Sequence, residues 1–411
     1  MTPLAEPADM TPAGTAKVIG LIGIAHCVSH YYLLILAPLL PVIREEFGAS
    51  YTEIGLALTA LNLTSALLQT PTGIVVDRVS ARGVLIGGLL LGAVAIAGAA
   101  MLASYWGFLA MFVLLGAANT AYHPADYALL SRHVPASRMG QAYSFHTFAG
   151  MVGSAAAPPG LLLLANAYGW RGAYLVSAAV GVAVALLLIV FGGVLSERGA
   201  QTARKEASPA AKTADRSVLF TAPVLLNLAM FVLLALMMGG IQNFSVAALS
   251  SLWGTPLGIA NTALATYLAA SALGVLIGGY VAMRTSRHDV AAVSGLVVYC
   301  TAVLTVGLVN LQDALLIAML AVAGLASGTI MPSRDMLVRA ITPAGSYGTV
   351  FGFVTNGFAI GGIVTPLIFG TLLDHGSPQT LFIVAAGFSM LAMLAVLIGR
   401  RTRPIPQDAA Y

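Results

Sequence analysis

Apolar residues run along the chain in stretches of about 20, each long enough to cross the hydrocarbon core of a bilayer. Short breaks rich in Gly, Pro and charge separate them. Reading run length against that punctuation predicts spans at 18–40, 52–76, 83–103, 106–130, 140–165, 171–194, 218–250, 258–283, 290–310, 314–338, 348–373 and 379–399, twelve in all. One stretch departs from the pattern: between Leu195 and Ser217 lie Glu197, Arg198, Arg204, Lys205, Glu206, Lys212, Asp215 and Arg216, with no apolar periodicity. We expect a solvated linker at 195–217 between two six-helix halves at 18–194 and 218–399, with tails at 1–17 and 400–411.

Composition makes the bilayer the solvent. A soluble chain carries about a quarter charged residues, whereas these 411 residues are 8% charged and 59% hydrophobic. So few charges cannot cover a water-exposed surface, and the fold class predicted is an all-α, multi-pass membrane protein. The first 17 residues hold no charged region leading to a cleavage site, so the first apolar run is expected to remain as a helix. Cys27 and Cys300 both sit inside apolar runs and read as small buried side chains.

The formal charge of +4 matters through its distribution. With an even number of spans both termini share a side. On that side fall Lys17, Arg78, Arg82, Arg132, Arg138, the linker cations, Arg284, Arg287, Arg339 and Arg400 to Arg403, sixteen of the nineteen Lys and Arg. Opposite loops hold only Arg44 and Arg171, and Arg334 lies within a span. Retention of positive charge on the cytoplasmic side places both termini there. Basic residues scattered over loops in this way give no nucleic-acid partner.

The halves repeat one another. A shift of 206 lays Gly73 and Arg78 on Gly279 and Arg284, with Met283 where Asp77 stood. A shift of 208 lays Gly116, Pro124, Pro135, Gly140, Phe145, Thr147, Gly153 and Pro158 on Gly324, Pro332, Pro343, Gly348, Phe353, Thr355, Gly361 and Pro366. Matches at a fixed offset across two spans point to a duplicated six-helix unit.

The break after the second run reads Gly73-Ile-Val-Val-Asp77-Arg78-Val-Ser80-Ala-Arg82-Gly83-Val84. Its G-x-x-x-D-R-x-x-x-R pattern resembles the loop between helices 2 and 3 of the major facilitator superfamily, G-x-x-x-D-R-x-G-R-R/K. Ser80 replaces the second glycine and Ala81 the first added basic residue. The resemblance covers essentially the whole chain and implies two pseudo-symmetric six-helix bundles. Within it, His26-x-x-x-His30 on helix 1 and Tyr122-His123-Pro124 on helix 4 look most like the group containing fosmidomycin-resistance proteins, which are drug exporters. The resemblance also implies a bacterial inner-membrane location and a monomer, with Gly73, Asp77, Arg78, Arg82 and Arg284 as gating residues.

Ionisable groups inside a span are costly and point to function. Here they are His26, His30, His123, Asp126, His146, Arg334 and Asp335. His26 and His30 share one helix face, with Tyr31 beside them. By resemblance helices 1, 4, 7 and 10 line the central cavity, so that face meets substrate or carries a proton, histidine being able to titrate near neutral pH. The competing role is a neutral imidazole bonded across helices. His123 and Pro124 form a ligand site or a kink, since proline frees a carbonyl one turn earlier. His146 reads as core packing. The resemblance gives Asp126 a latch to a loop arginine. The 208 shift pairs it with Arg334, giving either a cross-half ion pair or, at Arg334, a cation for an anionic substrate. Asp335 is expected to point elsewhere, because adjacent residues do not share a face.

Gly150-x-x-Gly153 with Pro158 and Pro159 resembles the glycine and proline signature of superfamily antiporters, and close packing explains it equally. Pro332 and Pro366 repeat these bends in the second half. Gln242, Asn243 and Tyr267 are neutral hydrogen-bonders for substrate or for neighbouring helices. No nucleotide-binding loop, no Cys/His zinc spacing and no soluble catalytic domain occurs, so neither enzyme nor metal or other cofactor is expected. The function expected is secondary active transport of a small organic solute by alternating access: proton-coupled efflux, with proton-coupled uptake of an organic anion or metal chelate as the alternative. A non-transporting receptor and a membrane enzyme are the rivals from other classes.

Overall fold

The structure is a computed structural model describing residues 12–135, 138–196, 216–342 and 347–401. Most of the expected linker and tails (1–11, 197–215 and 402–411), and the side chain of Asp77, lie outside the described residues. Helices are α1 (Pro12–Leu33), α2 (Leu40–Phe47), α3 (Tyr51–Arg78), α4 (Ala81–Met101), α5 (Tyr105–Asn119), α6 (Tyr122–His133), α7 (Met139–Phe191), α8 (Ala222–Trp253), α9 (Leu257–Arg284), α10 (His288–Leu308), α11 (Asp313–Ile341), α12 (Tyr347–Asp374) and α13 (Pro378–Arg401). Serines start three of them. Ser50 and Glu53 form a reciprocal capping box before α3, and the hydroxyls of Ser80 and Ser104 accept from Gly83 N and Gly107 N before α4 and α5.

Ten helices among the described residues are long and apolar enough to cross a membrane. The difference from the twelve expected lies in two places. α7 runs 53 residues through what the sequence divides into two spans, but its backbone breaks at Gly169 (φ 69°, ψ 170°). α3 is 28 residues long, with Asn62, Gln69, Asp77 and Arg78 making it less apolar than the others. The first predicted span, 18–40, ends early: Pro38 and Pro41 disfavour helix, and the chain leaves α1 at Leu33 to re-form as α2.

Gly169 sits in a region of φ/ψ space open essentially to glycine. We expect Gly169→Ala to cost about 1–2 kcal/mol, read as a lower unfolding temperature of the detergent-purified protein. No collision contributes, because a Cβ there meets nothing within 4 Å.

The chain divides into two compact units, Met1–Pro209 and Ala210–Tyr411. In the first, α1 packs on α7, α3 on α5, and α4 on α5 and α7. In the second, α8 packs on α12 and α13, α9 on α11, and α10 on α11 and α13. Equating α1 with α8, α3 with α9, α4 with α10, α5–α6 with α11 and the two arms of α7 with α12 and α13 makes these pairings the same. The glycines that permit them are the duplicated ones. Gly116 leaves no room for a Cβ against the Leu61 carbonyl, and Gly324 none against that of Tyr267. Gly153 packs on Cys27, and Gly361 on Ala235.

Aromatic side chains fill both interiors, Tyr32, Phe108, Phe112 and Tyr174 in the first unit and Phe231, Phe244, Tyr299 and Phe369 in the second. Large apolar side chains such as Leu67, Leu163, Val190 and Leu276 stand on the outside. Water would not tolerate so continuous an apolar exterior, whereas acyl chains do.

Candidate functional site

Three helices of the first unit bring together the five ionisable groups that the sequence places inside its spans. α1 carries His26 and His30 one turn apart, α6 carries His123 in its first turn and Asp126 three residues on, and the first arm of α7 carries His146. Glycines set the spacing between α1 and α7. At Gly153 the Cys27 carbonyl comes too close for any side chain. At Gly150 a Cβ would stand 2.9 Å from His26 Nε2 and 2.9 Å from His30 Cδ2, so the missing side chain is the space the imidazoles occupy.

Asp126 is fully buried at the centre. Its Oδ2 lies 3.0 Å from His146 Nε2 in a hydrogen bond and 3.1 Å from His26 Nδ1. The second distance is short enough for an ion pair, but the alignment is not that of a hydrogen bond. His26 Nδ1 and Asp126 Oδ1 are therefore both buried without a hydrogen-bond partner. The His26 and His146 rings stack at 3.6 Å between centroids. Around them stand His30, edge-on to His26 at 4.6 Å, and His123, at 5.1 Å from His26. Tyr127 lies 5.3 Å from His146, with Tyr143 behind it at 5.4 Å. His26 and His146 are buried, His30 is half-buried with Nδ1 3.2 Å from Ser154 Oγ, and His123 is exposed. One carboxylate among four imidazoles can hold and pass protons, hydrogen-bond a polar solute, or ligate a cation.

Several residues stand elsewhere than the sequence led us to expect. His146, read as core packing, holds Asp126. The only ion-pair partners of Asp126 among the described residues are histidines. The loop arginines are occupied otherwise: Arg78 is exposed, and Arg82 donates to the carbonyls of Leu188 and Ile189, both at 2.9 Å, at the C-terminal end of α7. Tyr31 is half-buried and turns to Ser177 Oγ, 3.2 Å away on the second arm of α7. Pro124 lies in the first turn of α6, just after the helical run is interrupted at Thr120–Ala121. Pro158 and Pro159 stay within α7, whose non-helical residue is Gly169. Gly73 has open space around it, and Arg284 lies over the Tyr280 ring.

The second unit lacks this cluster. The 208 shift replaces His26, His30, His123 and His146 by Leu234, Met238, Met331 and Val354 and keeps only a charge, Arg334, in place of Asp126. Arg334 is buried, with its guanidinium 4.4 Å from the Phe231 ring and 5.2 Å from that of Phe358. Contrary to expectation, Asp335 is its partner, accepting from Nε at 2.9 Å and Nη2 at 2.8 Å. Adjacent Cβ atoms diverge on a helix, but the long arginine side chain folds back far enough to close the gap. Asn243 donates to the Gly239 carbonyl of its own helix, Gln242 is half-buried, and Tyr267 is buried near Ser327, Tyr299 and Gln242. Pro332 and Pro366 lie inside α11 and α12.

Known proteins match most of the chain. The sequence profile of the Major Facilitator Superfamily matches residues 22–260 and 232–410. The chain is 24% identical over 400 residues to the uncharacterised MFS-type transporter YfnC of Bacillus subtilis (strain 168), covering 96% of each. It is 23% identical over 412 residues to the fosmidomycin resistance protein of Escherichia coli (strain K12), covering 96% of this chain and 97% of that one. Its fold is similar to that of a bacterial homologue of the human lysosomal transporter Spinster in an inward-facing, unoccupied conformation, with a TM-score of 0.76 at 15% identity, covering 97% and 100% of the two chains.

Proposed function

The chain belongs to the Major Facilitator Superfamily, and from that premise we propose that this transporter exports a small organic solute in exchange for protons. Twelve spans, cytoplasmic termini, a bacterial inner-membrane location and a monomeric state complete the reading. It works by alternating exposure of a site to the two sides. The observation that carries it is the buried Asp126 carboxylate held between His26 and His146, with His30 and His123 beside them. Groups of this kind inside a membrane protein mark proton relays and substrate paths. Imidazole is the side chain that changes charge near neutral pH.

Fosmidomycin is the first solute to test, because a relative is named for resistance to it. We expect inverted vesicles with an acidic interior to accumulate fosmidomycin and lose their pH gradient on its addition. Vesicles carrying His30→Gln should do neither. Accumulation driven only in right-side-out vesicles with an acidic exterior would reverse the direction assigned. That result would favour a second reading, proton-linked uptake of an organic anion, for which the observation is the buried Arg334 guanidinium.

A further inference from the structure

We propose that His26, His123 and His146 form a binding site for a divalent transition-metal ion, with Asp126 as the carboxylate that orients two of the three imidazoles. One ring nitrogen from each histidine lies within 4.8 Å of the others. Metal–imidazole bonds of about 2.0–2.1 Å in a tetrahedral site place ligand nitrogens about 3.4 Å apart. The cluster thus needs to close by up to about 1.4 Å, and His123, the exposed member of the three, is the one to turn inward.

Two features separate this arrangement from a packing network. Imidazoles that ligate metals donate their other ring N–H to a carboxylate or carbonyl, which fixes tautomer and orientation. His146 Nε2 is bonded to Asp126 Oδ2, and His26 Nδ1 stands 3.1 Å from the same oxygen, which leaves the opposite nitrogen of each ring for an ion. A buried polar atom without a partner costs about 1–3 kcal/mol, and a cation bound beside the carboxylate offsets that cost. Here His26 Nδ1 and Asp126 Oδ1 are buried without hydrogen bonds.

Three neutral imidazoles suit zinc, copper, nickel or iron rather than magnesium or calcium. They leave one coordination position open, as in sites where a further ligand enters. Taken with the transport reading above, on which this last step rests, the open position makes the cargo a metal ion or an organic solute that carries one.

Zinc is the probe. The full chain is purified in detergent, stripped of metal and equilibrated with Zn2+, and bound metal is counted by elemental analysis. We expect one Zn2+ per chain, retained through gel filtration, with a matching rise in unfolding temperature. His123→Gln, an exposed position, should remove that ion while leaving the metal-free unfolding temperature unchanged. Asp126→Asn should weaken binding by about 10–100-fold, the usual effect of losing the partner of a ligating histidine. His30→Gln, outside the trio, should bind zinc as the parent does. An unchanged zinc count in both His123→Gln and His146→Gln, or no zinc retained by the parent chain, overturns the proposal. Zinc bound through these residues without gradient-driven flux of any solute leaves the site standing and removes the transport reading. Fosmidomycin flux without zinc binding does the reverse.

Discussion

Asp126→Ala stops gradient-driven flux and lowers stability by about 1–3 kcal/mol, the cost of leaving a buried donor without its acceptor. The carboxylate is the acceptor for His146 and the nearest polar atom to His26 Nδ1, and no water reaches it. Without it His146 loses its hydrogen-bond acceptor and His26 Nδ1 loses the carboxylate 3.1 Å away. Asp126→Asn separates fold from function. The amide keeps the shape and an acceptor oxygen for His146, so unfolding temperature should fall far less than in the alanine variant, while proton-coupled flux is still lost. Thermal unfolding in detergent beside flux in proteoliposomes measures both. Equal stability of Asp126→Ala and the parent would mean that the histidines do not depend on this carboxylate, and the site described above would have to be redrawn.

The helical membrane fold was legible because hydrophobicity over about 20 residues is a long-range average that tolerates local error. The duplication was legible because glycines at a close approach cannot be exchanged: Gly116 faces the Leu61 carbonyl as Gly324 faces that of Tyr267. The division of α7 was also written in the chain, since the gap between the spans at 140–165 and 171–194 holds Gly169. What hydropathy misses is backbone geometry inside an apolar run. The segment from Leu34 to Leu39 is as greasy as a helix interior, yet Pro38 within it and Pro41 just beyond take it out of α1. Site residues divide the same way. His26, His30, His123 and Asp126 are conspicuous because each is expensive in a bilayer. Their partners are not, because sequence does not say which helix faces meet. His146 became a core residue on paper for lack of any visible neighbour, and Asp335 was turned away from Arg334 by a rule about Cβ directions that a long side chain escapes.

Gly153→Val should be among the most damaging single changes at the glycines, costing about 3 kcal/mol, the upper part of the range for overpacking, and reducing flux to the background of empty vesicles. The obstacle is the backbone carbonyl of Cys27, so α1 and the first arm of α7 must separate, and His26 and His30 then leave His146. Small residues at such crossings are what allow helices in lipid to touch at all. Because the blocking atom belongs to the main chain, Cys27→Ala should give no rescue. Gly98→Ala is the control with a close neighbour of a different kind: there the atom is Met111 Sδ, at the far end of a flexible side chain. Methionine yields, and stability should hold to within about 0.5 kcal/mol, as at ordinary surface positions. Gly73→Ala meets open space, so any loss of flux there without loss of stability belongs to the loop's part in the transport cycle rather than to packing. Unfolding temperatures and vesicle flux for the three variants, taken together, decide the matter. If Gly153→Val unfolds and transports like Gly98→Ala, α1 and α7 are not in the contact that builds the histidine cluster.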